Sequence, residues 1–346
     1  MGFSPSVEID LGARGKAFGR VVFPLGEPWQ GRTEIALPAC VIANGQGPTV
    51  ALWGGNHGDE YEGPVVLGQL ARELDPAALE GRLIILPTIN PPALFAGRRN
   101  SAIDGKNMNR VWPGDPGGSI TERIVSWLDR AVLSEADVLM DLHTGGNALD
   151  LIPMSMCHHT DDPAFRARIR AAQAAYNAPL SVELRLPPDR PTASGRAHER
   201  GILVVGSESG GGHPVRPETL AACYDGVRNT LAFLGMLAAP PAPGRLRPVT
   251  RFMRKWGHQA EMVAERAGMF IPFHGLWDEV VAGQPAGQII PLDAPFARPE
   301  TLLFPSSGLI AGRLASSGVG PGDVLYWILA DSVGADSTGG DAPSGH

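Results

Sequence analysis

The chain switches repeatedly between two periods of apolar and polar residues. Short continuous apolar runs at Thr49–Trp53, Leu83–Pro87, Val138–Leu142 and Ile202–Gly206 predict strands buried on both faces. Longer stretches with helical spacing predict helices over Glu62–Leu74, Ile120–Leu133, Pro163–Tyr176 and Pro217–Leu237. In the second of these, Ile120, Ile124, Trp127, Leu128 and Ala131 fall on one apolar stripe, with Glu122, Arg123 and Asp129 outside it. Strands alternating with helices predict an α/β fold: a mixed, largely parallel central sheet with helices on both faces.

The two ends of the chain read differently. Gly19–Phe23 and Thr33–Leu37 alternate with period two, which predicts a short antiparallel β segment before the sheet. Ala238-Ala239-Pro240-Pro241-Ala242-Pro243-Gly244 is a linker, because consecutive prolines cannot continue a helix and stiffen the chain. Beyond it, short strands with Gly turns, as at Gly275–Gly283 and Gly322–Trp327, predict a small C-terminal all-β domain. The expected division is an α/β domain over 1–240, a β domain over 245–330, and a disordered tail over 335–346, which is Gly, Ser, Asp and Pro with almost nothing to bury.

Composition narrows the function. The 44 Gly and 32 Pro occupy more than a fifth of the 346 residues, so the protein is loop-rich. With 43% hydrophobic and 19% charged residues it is still no disordered polyampholyte. A net charge of −7 with no basic run leaves no electrostatic footprint for nucleic acid or an anionic membrane, so a small molecule is the expected partner. Whether the protein forms a homo-oligomer is left open. Cys40, Cys157 and Cys223 are too few and too scattered for a disulfide framework, which points to a reducing, cytoplasmic setting. No apolar run approaches the roughly 20 residues needed to span a bilayer. The start has no secretory pattern, and Gly2 through Ser6 matches a loose myristoylation pattern that no polybasic patch supports.

The chemistry concentrates at predicted strand ends, where open α/β sheets bind ligands. Gly54-Gly55-Asn56-His57-Gly58-Asp59-Glu60 follows the first strand and enters a helix, with His57 and Glu60 three apart and able to share one ion. Taken alone, such a pair is common on surfaces. His143, in Asp141-Leu142-His143-Thr144-Gly145-Gly146 at the end of another strand, supplies a third ligand. Two His and one Glu with an open position form the donor set of catalytic zinc. Asp141 points to the same side of its strand as His143 and is placed to accept the proton of a ligand imidazole.

Gly206-Ser207-Glu208-Ser209-Gly210 resembles a nucleophile elbow but carries Glu208 where Ser should stand, so the serine-hydrolase reading fails. Glu208 is a candidate general base, with an N-cap or salt-bridge role as the alternative. Adjacent His158 and His159 read as a solvated loop. The long loop from Asn90 to Gly114 carries Arg98, Arg99 and Arg110, whose guanidinium groups suit carboxylate capture and carbonyl polarisation.

Taken together, Gly55–Glu60, Arg99 with Asp104-Gly105 and Asn109-Arg110, Asp141–His143, and Glu208 after a strand resemble the succinylglutamate desuccinylase and aspartoacylase family, relatives of the zinc carboxypeptidases. The resemblance implies a zinc carboxypeptidase-like α/β domain followed by a β domain, and an amidohydrolase acting on N-acyl amino acids. It implies one Zn2+ per subunit, held by His57, Glu60 and His143, with Glu208 as general base. Arg99 or its neighbour Arg98 would polarise the scissile carbonyl, and Asn109 with Arg110 would hold the substrate carboxylate. The opening Gly54–Pro64 looks most like the branch that deacetylates Nα-acetyl-L-2,4-diaminobutyrate in ectoine breakdown. Other N-acyl amino acids, a zinc carboxypeptidase, and a carboxylate-binding sensor on a degenerate hydrolase fold are the alternatives.

Overall fold

In a computed structural model, described for residues 4–185, 191–212, 214–237 and 250–332, the expected strands and helices occupy their predicted places. The strands are Thr49–Gly54, Gly81–Leu86 and Val138–His143; the last predicted one is split into Leu203–Val204 and Gly206–Gly210. The helices are Glu62–Glu73, Ile120–Trp127, Pro163–Tyr176 and Pro217–Phe233. After Trp127 the helical path continues as a wider turn through Val132 and a tighter one to Glu135. The linker at Ala238–Gly244, the tail at Ala335–His346 and the myristoylation position Gly2 lie outside the described residues. Among the described residues no helix is long and apolar enough to cross a membrane.

Thr49–Gly54 runs parallel to Gly81–Leu86 on one side and to Val138–His143 on the other. Val138–His143 in turn pairs in parallel with Gly206–Gly210, with His143 opposite Glu208. A long hairpin, Gly15–Trp29 and Arg32–Asn44, extends the sheet beyond Gly81–Leu86. Thr49–Gly54, Gly81–Leu86 and Val138–His143 are largely apolar because both faces are covered. On one face Val66, Leu67 and Leu70 pack with Ile169, Val227 and Leu231 against Leu52, Met140 and Leu142. On the other, Ile120, Ile124 and Leu128 pack with Ala197 against Ala51, Trp53 and Leu139.

The hydrophobic pattern did not announce Leu149–His158, a ten-residue strand beside Gly206–Gly210. Pro153 lies inside it, and a proline argues against an interior strand. It is accommodated at a register shift, where Leu151 faces Gly210 and Met154 faces Glu208, leaving two residues opposite one. From this strand the chain builds a closed ring. Leu149–His158 pairs with Leu180–Leu184, that with Arg251–Lys255, that with Val324–Asp331, and that with Gly308–Leu314. Gly308–Leu314 then returns to Leu149–His158 through Gly312 opposite Leu151 and Leu314 opposite Leu149. Leu151, Met154, Val182, Met253, Leu309 and Leu329 pack together between these strands. Strands from the C-terminal part therefore belong to the same sheet as the catalytic candidates. A second, antiparallel sheet, Gly268–Pro272, Pro285–Ile290, Glu300–Leu303 and Gly318–Val319, packs Phe270 and Ile289 with Phe304.

Candidate active site

All the candidate residues from the sequence but Arg98 line one cavity of about 550 Å3: His57, Glu60, Arg99, Asn109, Arg110, Asp141, His143 and Glu208. It opens at the carboxyl ends of the parallel strands. His57 and Glu60 sit on the turn between Thr49–Gly54 and the helix Glu62–Glu73, whose close path depends on Gly58: a Cβ there would overlap the Ala93 carbonyl.

Glu60 is the hinge of the cluster. One carboxylate oxygen lies 2.6 Å from His57 Nδ1 and the other 2.8 Å from His143 Nδ1. The ligand atoms of the three residues all lie within 4.8 Å of one another. Burial alone would raise the Glu60 carboxyl, but the two imidazoles override it and hold it well below the usual carboxylate range. Burial likewise lowers His57, against the pull of Glu60. For His143 burial is outweighed by Asp141 and Glu60, which raise it.

Each outer nitrogen faces an oxygen. His57 Nε2 is 3.2 Å from Asn107 Oδ1, and His143 Nε2 is 3.1 Å from Asp141 Oδ1. Asp141 is fixed from behind by the indole N–H of Trp53, which donates to it at 2.8 Å. Each inward Nδ1 is thus backed by an oxygen at the far side of its ring, the pattern by which proteins orient metal-binding imidazoles. Nitrogen and oxygen donors in this number suit zinc.

Glu208 stands opposite His143 across the paired strands. Burial pushes its carboxyl up to about 8, His143 opposing the rise. Its Oε2 is buried with no hydrogen-bond partner among the described residues, so the atom is available to a water in the cavity. Of the adjacent arginines, Arg99 lines the cavity and donates to Glu60 at 3.5 Å, while Arg98 offers its backbone carbonyl to the Gly58 N–H. Asn109 accepts the Ala193 N–H through its side-chain carbonyl at 2.8 Å, which leaves its amide N–H groups as donors. Arg110 donates to the Asn109 backbone carbonyl at 2.7 Å.

Three contributions escaped the sequence reading. Asn107, two residues before Asn109, backs His57, and nothing in its sequence neighbourhood singles it out. His158, expected on a solvated loop, instead ends the Pro153-containing strand, is bonded to Ser194 at 2.8 Å and lines the cavity; burial lowers it to about 4. Lys255, Glu261 and Asp323, from the C-terminal part, complete the wall.

Comparison with known proteins gives consistent matches. Residues 46–234 match the family described as succinylglutamate desuccinylase/aspartoacylase catalytic domain. The chain is 33% identical over 333 residues, 95% of both chains, to N-alpha-acetyl-L-2,4-diaminobutyric acid deacetylase of Halomonas elongata. A succinylglutamate desuccinylase/aspartoacylase from Rhodobacter sphaeroides matches with TM-score 0.89 and 34% identity, covering 95% of this chain and 99% of that one. The product-bound ectoine utilization protein EutE (DoeB) from Ruegeria pomeroyi matches with TM-score 0.89 and 33% identity, covering 95% and 100%.

Proposed function

The chain belongs to the succinylglutamate desuccinylase/aspartoacylase family, and from that premise we propose that it is an amide hydrolase that deacylates N-acyl amino acids. The substrate we assign is Nα-acetyl-L-2,4-diaminobutyrate, cleaved to 2,4-diaminobutyrate and acetate in ectoine breakdown. Likeness to the Halomonas elongata deacetylase and to the ectoine utilization protein supports that choice. The observation that carries the hydrolase reading is Glu60 set between the Nδ1 atoms of His57 and His143, with Glu208 on the same cavity. We read the architecture as zinc carboxypeptidase-like, with residues 1–240 catalytic and 245–330 a β domain that walls the cavity.

His57, Glu60 and His143 would hold one Zn2+. When bound, it supplies Lewis acidity that makes a water nucleophilic near neutral pH and polarises the amide carbonyl. The protein's own groups do the rest. Asn107 and Asp141 hold the two imidazoles in the tautomers that turn Nδ1 inward. Glu208, raised by burial, takes the proton of the attacking water and returns it to the leaving amine. Arg99 stands beside Glu60 to stabilise negative charge developing on the carbonyl oxygen. Asn109 and Arg110 hold the α-carboxylate, an orientation that places the acyl group toward Glu208.

A carboxypeptidase would use the same carboxylate clamp. The C-terminal wall of Lys255, Glu261 and Asp323 favours a short substrate over a peptide. Acetate release from a panel of Nα-acetyl amino acids, beside digestion of peptides of increasing length, separates the readings. We expect metal-dependent turnover of the acetyl amino acids and none of long peptides. Peptide cleavage without deacylation would overturn the assignment, and metal-dependent turnover of any panel member would dispose of a sensor role.

A further inference from the structure

The substrate assigned above carries a side-chain ammonium besides its amide and α-carboxylate, and the catalytic set has no group left to meet it. Among the described residues the cavity wall carries five carboxylates, Glu60, Asp141, Glu208, Glu261 and Asp323. Four have work already. Glu60 lies between the two histidines, Asp141 accepts from Trp53 and faces His143, and Glu208 moves the proton. Glu261 is ion-paired with Lys255, whose ammonium also lies 4.4 Å from the centre of the Trp327 ring. That pair is neutral as a unit and adds no charge to the wall.

Asp323 differs from these four. Among the described residues it has no cationic partner. One carboxylate oxygen accepts the Gly320 N–H at 2.7 Å, closing the turn between Gly318–Val319 and Val324–Asp331, and among the described residues the other oxygen has no hydrogen-bond partner. The residue is exposed at the cavity rim, yet its turn is tied down: the Ala264 N–H donates to the Asp323 carbonyl at 2.8 Å and the Gly322 N–H to the Ala264 carbonyl at 2.7 Å. The strand that follows it, Val324–Asp331, pairs with Gly308–Leu314 through Tyr326 opposite Arg313, and Leu314 lies opposite Leu149 at the end of the loop that follows His143. Gly145, in the same loop, is tied through its N–H to the Gly210 carbonyl at 3.0 Å, two residues from Glu208. The turn is therefore joined through paired strands to the segment that carries His143, the rigid support that recognition of a second charge requires.

We propose that Asp323 binds the side-chain ammonium of the substrate and makes the enzyme selective for a basic N-acyl amino acid over neutral and acidic ones. The inference rests on the deacylase reading. A second carboxylate in place of the ammonium would meet Asp323 as a like charge, and the cavity cation on the same C-terminal wall, Lys255, is already neutralised.

The test compares Nα-acetyl-L-2,4-diaminobutyrate with Nα-acetyl-L-norvaline, which replaces the ammonium by a methyl of similar size, in the native enzyme and in Asp323→Asn. Asn keeps an oxygen for the Gly320 N–H, so the turn is retained while the charge is lost. The native enzyme should prefer the charged substrate. The variant should lose roughly 10- to 100-fold in kcat/KM for it, mainly through KM, with norvaline turnover unchanged. An unaltered preference in the variant would overturn the role of Asp323 and leave the deacylase reading intact. Equal loss on both substrates would assign Asp323 a structural role only and also overturn the proposal. Release of acetate from neither substrate by the native enzyme would overturn the deacetylase reading itself, and the inference with it.

Discussion

Asn107 Oδ1 lies 3.2 Å from Nε2 of His57, so a loop whose arginines mark it for substrate also steers an imidazole of the candidate metal centre. The same Oδ1 accepts the Asn109 N–H at 2.9 Å and thereby sets the turn that presents Asn109 and Arg110. Two contacts thus share one amide oxygen. Asn107→Ala should lower zinc affinity by roughly 10- to 100-fold and raise KM as well. Zinc titration against a competing chelator checks the first effect and steady-state kinetics the second. Unchanged zinc affinity would remove Asn107 from the metal centre.

Glu208 has its carboxyl raised by burial and, among the described residues, one oxygen without a hydrogen-bond partner, which leaves that oxygen open to a water. Glu208→Gln is isosteric and removes only the proton acceptor. It should cut kcat by on the order of 10²- to 10⁴-fold while zinc remains stoichiometric. Near-normal turnover would refute the assignment. Zinc loss alongside the rate would show that Glu208 belongs with the ligands.

Gly58 passes so close to Ala93 that a methyl group cannot be placed without moving backbone. Its neighbours in sequence include His57 and Glu60. Gly58→Ala should therefore displace the ligands, and a displacement of about 1 Å costs on the order of 100-fold in rate. Thermal unfolding together with metal content reads it: a folded protein with depleted zinc is the expected result, and full zinc with full activity would contradict it.

The three thiols are free and buried, and burial pushes Cys40 up to about 11 and Cys157 and Cys223 up to about 12. A thiol reacts as thiolate, and at pH 8 all three stand well below these values, so reactivity should appear only as pH rises through them or as the fold opens. The native protein should leave a thiol-specific disulfide reagent unreacted at pH 8, and the guanidinium-unfolded chain should titrate three thiols. Rapid labelling of the native protein would contradict the burial of these residues.

What the sequence by itself determined was local. A strand buried on both faces is apolar throughout, and its polar end is visible where the run stops, so His57, Glu60, His143 and Glu208 could be placed at strand ends before any tertiary contact was known. The helix Pro163–Tyr176 was legible from its helical spacing alone, and the structure ends it where that spacing ends, with Asp162 capping it and Asn177 leaving it in the left-handed conformation. What only the tertiary structure decided was long-range. The ring that returns Gly308–Leu314 to Leu149–His158 joins residues some 160 positions apart, and strand pairing at that distance leaves no mark on local periodicity. Pro153 hid the strand on which the ring depends, because the shifted register that tolerates a proline exists only once Gly206–Gly210 lies beside it. That Arg99 and not Arg98 lines the cavity, that Asn107 meets His57, and that Asp323 stands on the wall have the same origin. Each depends on where a side chain points after distant segments have packed, and neither spacing nor composition carries that direction.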